Sequence, residues 1–128
     1  MDTGKLNTRS LVGIVWLADV ASAAALMLDK NICALGVYST DGHQLMGILT
    51  ERDVTRVVAD KSDPANVRVG DAMSYSPVTV EGSVTAPEAA EMMRHGHIRH
   101  LIIREAGSDR IISIRDLLEA DFLDPRRN

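Results

Sequence analysis

The sequence is short of several things, and each shortage removes a class of protein. It has one cysteine in 128 residues, Cys33. A lone thiol cannot build an internal disulfide framework and suits a reducing compartment, so the cytoplasm is the expected location. Aromatic residues make up 3% of the chain, which leaves the core to Ala, Val, Ile, Leu and Met. Basic charge is not in excess: the net charge is −4, against general nucleic-acid binding, which needs a basic face. No Pro-, Ser- or Gly-rich low-complexity tract is present. The best apolar run, Leu11-Val12-Gly13-Ile14-Val15-Trp16-Leu17, follows Lys5 and Arg9 and precedes Ala21, Ala23 and Ala25, in the manner of a secretory leader. Asp19 interrupts it well short of the roughly 20 apolar residues a spanning helix needs. A counterpart of the same stretch lies later in the chain, so it reads as part of the fold and no membrane association is expected. Catalytic patterns are missing too. No Ser-His-Asp or Cys-His arrangement, Walker-type loop or metal-spaced cluster occurs, so an enzyme is not expected. His95, His97 and His100 straddle a helix end and a strand instead of converging as a tetrahedral site requires, and no metal is expected.

What is present is a repeat. Gly47-Ile48-Leu49-Thr50-Glu51-Arg52-Asp53 reads as an apolar strand running straight into a helix that carries Val54, Val57 and Val58 on one face. Ile111-Ile112-Ser113-Ile114-Arg115-Asp116 restates the apolar pair, the hydroxyl, the arginine and the aspartate 63 residues on. Upstream the shift is 66: Leu11–Ile14 matches Pro77–Val80, Ala23–Met27 matches Ala89–Met93, and Ile32–Leu35 matches Ile98–Leu101. The difference is a turn three residues shorter in the second copy, Ser39–His43 against Glu105–Gly107. Each copy therefore reads strand, helix, strand, turn, strand, helix. In the second copy Thr85 and Glu88 form a capping box with Pro87 in the first turn, Gly96 ends that helix, and Arg115–Phe122 forms the last one. The expected boundaries are 3–60 for the first copy, 61–68 for a polar linker and 69–123 for the second.

Local physics gives the doubled motif two readings. Thr50 can N-cap its helix, with Asp53 completing a capping box and favouring the positive end of the helix dipole. Alternatively, free N–H groups at the helix start attract a phosphate while an aspartate one turn in accepts hydrogen bonds from ribose hydroxyls.

Two copies in register, with Gly47–Asp53 and Gly96-His97-Ile98-Arg99-His100-Leu101 in matching flanks, resemble a tandem pair of cystathionine β-synthase (CBS) domains over roughly the whole chain. The resemblance implies an α/β (α+β) fold in which two β-α-β-β-α motifs pack as one pseudo-two-fold symmetric module. It also implies a non-catalytic sensor that binds adenosine-containing ligands (AMP, ADP, ATP, NAD or S-adenosylmethionine) in clefts between its sheets, forms a homodimer, and signals to a partner protein in trans. By family correspondence one cleft would hold Ser113, Asp116 and Arg99 with Val12, Ile32 and Cys33. The other would hold Thr50, Asp53 and Cys33, faced by Val78, Ile98 and Arg99. Arg99 and His100 favour the Asp116 cleft for a phosphorylated ligand. Arg110 stands where the family pattern has the glycine matching Gly47. The competing class is a ligand-independent dimeric scaffold whose Thr/Ser-x-x-Asp motifs are only caps.

Overall fold

The computed structural model describes residues 8–75, 77–105 and 107–123, with side chains described as far as residue 118. It is a mixed α+β fold with two four-stranded sheets and five α-helices among the described residues. The chain divides into two compact units, one spanning Val12–Pro77 and the other joining the residues before Val12 to those from Val78 onward.

The first unit contains β2 (Gly13–Val15), α1 (Val20–Lys30), β3 (Ala34–Tyr38), β4 (Leu45–Thr50), α2 (Glu51–Ala59), α3 (Val69–Ala72) and β5 (Ser74–Tyr75). Its sheet runs β2-β3-β4-β5, with β2 and β3 parallel and the other pairs antiparallel. Parallel neighbours need a crossover connection, which α1 supplies. Asp19, read from the sequence as the break in an apolar run, is the N-cap of α1. It accepts hydrogen bonds from the N–H and Oγ of Ser22, at 2.9 and 2.7 Å, and the side-chain bond is the main reason its carboxyl is held below its ordinary pKa. Ala23, Met27, Leu35, Val37, Leu49, Val69 and Met73 form the buried core of this unit. It is aliphatic, as the scarcity of aromatics requires.

The second unit has the same topology. It contains β1 (Arg9–Ser10), β6 (Thr79–Glu81), α4 (Ala86–Gly96), β7 (His100–Glu105), β8 (Ser108–Ser113) and α5 (Ile114–Leu123). Its sheet runs β1-β8-β7-β6, with β6 and β7 parallel. The capping box of Thr85 and Glu88 forms as read. Val84, Ala89, Met93, Leu101, Ile103, Ile112 and Leu117 make its core.

Three sequence expectations shift. Gly96 is the last residue of α4, but the left-handed residue that stops the helix is His97 (φ 53°), matched by Asn31 (φ 55°) after α1. In both cases the next residue, Ile32 or Ile98, returns its N–H to a carbonyl of the last turn, Met27 or Met93. Val54, Val57 and Val58 are not one buried face: Val57 is buried and Val54 half-buried, whereas Val58 is 59% exposed. The outer strands also cross the expected boundaries. Residues 69–75 begin the second copy in sequence but complete the first sheet, and Arg9–Ser10 complete the second.

That exchange explains why Arg110 replaces glycine. Gly47 lies opposite Tyr75, and a Cβ there would stand 2.5 Å from the Ser74 carbonyl oxygen and 2.7 Å from Met73 Sδ. Arg110 lies opposite Ser10 and grips the incoming strand, donating from Nε to Thr8 Oγ1 (2.6 Å) and from Nη2 to the Thr8 carbonyl (2.7 Å). One copy admits its outer strand by having no side chain; the other holds its strand with one. Gly47→Ala is therefore expected to cost about 1–3 kcal/mol, the range for overpacking, read by urea denaturation. An unchanged unfolding midpoint would show that β5 yields freely.

Candidate functional site

In each unit a strand ends on a hydroxyl residue and a helix begins at the next residue. Thr50 closes β4 in extended conformation and α2 follows at Glu51. The Asp53 N–H donates to Thr50 Oγ1 (3.3 Å), while Asp53 Oδ2 accepts from the Thr50 N–H (2.8 Å) and hydroxyl (3.1 Å). Asp53 Oδ1 accepts from Arg56 Nη1 at 3.0 Å, one turn further along the same helix. Asp53 is 3% exposed. A carboxylate removed from water needs this full set of partners, and here it has them.

The Ser113 motif repeats the capping geometry. Asp116 Oδ2 accepts from the Ser113 N–H (2.9 Å) and hydroxyl (3.0 Å), and the Asp116 N–H returns to Ser113 Oγ (3.2 Å). The other oxygen differs. Among the described side chains, Asp116 Oδ1 faces Arg9 Nη2 at 3.7 Å, and the aspartate side chain keeps 13% of its surface. A charge-assisted hydrogen bond is about 2.7–2.9 Å long, so this pair is a loose contact. One carboxylate is sealed within its own helix. The other retains an oxygen that can accept.

Most of the remaining predicted residues make main-chain hydrogen bonds. The carbonyls of Cys33 and Arg99 accept the first helical N–H groups, from Glu51 (3.0 Å) and Ile114 (2.8 Å). The carbonyls of Val12 and Val78 accept from Gly36 (2.9 Å) and Ile102 (3.1 Å) on the adjoining strands. Ile32 and Ile98 close the helix ends described above. The first unit thus brings Thr50, Asp53 and Cys33 together. The second brings Ser113, Asp116 and Arg99 together, with His100 opposite Ser113 in the β7–β8 ladder. Each hydroxyl turns its proton to its own aspartate. Sequence reasoning missed Arg9 and Arg56. Arg56 was visible in principle, three residues after Asp53; Arg9 lies 107 positions from Asp116 and carries no local signal.

Among the described residues no group of three His, Cys, Asp or Glu could hold a metal ion. His95 Nε2 instead meets Glu91 Oε2 at 2.9 Å. No described helix is long and apolar enough to cross a membrane.

Two sheets of one topology, each delivering a hydroxyl–aspartate pair to a helix start, define a tandem β-α-β-β-α module. The CBS domain model matches residues 18–60 and 69–122, and the chain belongs to the CBS domain family. YlbB of Bacillus subtilis is 33% identical over 114 residues, 88% of this chain and 76% of that protein. Plant CBS domain-containing proteins from Arabidopsis thaliana are longer, the chain spanning 14% to 18% of them. A CBS domain protein from Pyrobaculum aerophilum, solved in complex with AMP, superposes with a TM-score of 0.77 at 25% identity, over 91% of this chain and 89% of that one. A hexameric CBS-CP12 protein from bloom-forming cyanobacteria gives 0.78 at 30% identity, over 94% and 71%.

Proposed function

We propose that the chain is a regulatory module that binds adenosine-containing nucleotides at the Asp116 helix start and passes the bound state to another protein in trans. The observation that carries this reading is the open Oδ1 of Asp116, poised to accept from ribose hydroxyls beside a carboxylate oxygen already fixed by its cap. Arg99 and His100 lie at the same end of the sheet and suit a phosphate. The AMP bound by the Pyrobaculum protein supports the ligand class. Cytoplasmic residence and the absence of catalysis of its own belong to the same proposal.

Assembly is the second part. Val58 on α2 and Ile114 and Leu118 on α5 are 59%, 39% and 46% exposed, apolar surface that a C2 homodimer would cover. Phe122, in the last helix read from the sequence, lies outside the described side chains. The scaffold reading has one observation in its favour, the complete engagement of Asp53, and it applies to that motif alone.

Titration of ligand-stripped protein with AMP, ADP, ATP, NAD and S-adenosylmethionine is expected to raise the melting temperature with at least one of them. No shift with any of the five would leave the scaffold reading in place.

A further inference from the structure

Arg9 reaches Asp116 from an element that its own strand chemistry holds still. Its neighbour Thr8 is gripped at two atoms by Arg110, the Leu11 N–H bonds to the Asp109 carbonyl at 2.9 Å, and Arg9 itself lies opposite Ile111 in the β1–β8 ladder. The backbone is therefore pinned on both sides of a side chain that is 60% exposed and meets its carboxylate only at 3.7 Å. Arg56 in the other unit is the opposite case, a close partner of a buried carboxylate supplied by the same helix. A pinned backbone with a loosely held guanidinium is a cation placed at a site and free to change partners.

We infer that Arg9 is a specificity-determining residue of the Asp116 site, favouring phosphorylated adenosine compounds over adenosine and over S-adenosylmethionine. This rests on reading Asp116 as the ribose acceptor. When ribose hydroxyls take Asp116 Oδ1, the guanidinium loses the one carboxylate that it meets among the described side chains. A ligand carrying a phosphate supplies another in the same event. Neutral adenosine supplies none, and S-adenosylmethionine offers a single carboxylate accompanied by sulfonium and ammonium charges that repel the guanidinium, whereas a phosphate brings negative charge alone.

The test is calorimetric titration of the parent protein, Arg9→Gln, Arg110→Ala and Arg56→Gln with AMP, adenosine and S-adenosylmethionine, with thermal melts alongside. The parent is expected to bind AMP at least about tenfold tighter than adenosine, the equivalent of roughly 1.4 kcal/mol. Arg9→Gln should narrow that ratio to within about threefold, mainly by weakening AMP. Arg110→Ala, which frees the strand that carries Arg9, should narrow it in the same direction, and Arg56→Gln should leave it as in the parent. An unchanged ratio in Arg9→Gln overturns the inference and leaves the nucleotide reading standing. So does an equal gain for all three ligands, which would make Arg9 a plug. A loss in Arg56→Gln as large as in Arg9→Gln would assign the effect to net charge and also overturn it. If the parent binds none of the three compounds, this inference fails, while the nucleotide reading fails only if ADP, ATP and NAD also leave the melt unchanged.

Discussion

A fragment ending at residue 63 is expected to show no cooperative unfolding transition, although it contains the whole first sequence repeat. The reason lies in what it omits. Val69 is fully buried and Met73 is 7% exposed, and both belong to the core formed by Ala23, Met27, Leu35, Val37 and Leu49. Burying one such side chain contributes about 1.5–3 kcal/mol, so the pair alone supplies roughly 3–6 kcal/mol. A domain's whole stability is about 5–15 kcal/mol, and a unit this small sits low in that range. The same cut removes the Val67 carbonyl that accepts from the Val20 N–H, and the N–H groups of Val69 and Gly70 that donate to Ala18 and Trp16. It also removes β5 from the edge of the sheet. A fragment extended to residue 77 restores all of these and should gain helical circular dichroism over the shorter one. A cooperative melt from the 1–63 fragment, matching that of the longer one, would show that Val69 and Met73 are dispensable.

How much of this could be read from residues alone depends on how local each signal is. The order of strands and helices was legible because the repeat doubles every pattern, and the capping boxes at Thr50 and Thr85 because their spacing is a three-residue signal. The outer strands were not. Arg9–Ser10 and Ser74–Tyr75 are two residues each, too short for periodicity, and their sheets are assigned by pairing with β8 and β4, far from them in sequence. Arg110 was noticed only as a departure from the glycine pattern; its meaning needed Thr8, 102 residues away. The candidate site divides the same way. Ser113 and Asp116 were found from spacing, while the difference between the two aspartates depends on Arg56 in one unit and Arg9 in the other. Cys33, Arg99, Val12 and Val78 were named by family correspondence; that their carbonyls accept from Glu51, Ile114, Gly36 and Ile102 is something no residue type announces.

Asp116→Ala is expected to weaken nucleotide binding by about tenfold to a hundredfold while leaving the protein folded. The two effects separate because the two carboxylate oxygens have separate partners. Removing Oδ2 deletes the cap to Ser113, a loss of about 1 kcal/mol in stability. Removing Oδ1 deletes the acceptor proposed for ribose, and hydrogen bonds to a charged group are worth about 1.5–3 kcal/mol, which sets the expected loss of affinity. Asp116→Asn keeps a neutral acceptor and weakens the helix-dipole interaction, so it should bind better than the alanine variant. Asp53→Ala is the internal control with the opposite profile. Its carboxylate is buried and bonded to Thr50 and Arg56, so the variant should lose more stability than Asp116→Ala and affect nucleotide affinity less. Titration calorimetry with AMP and NAD, paired with thermal melts, reads both axes for each protein. Equal affinity in the parent and Asp116→Ala would make the aspartate a cap and nothing more, because the only other task proposed for it is the one the measurement reports.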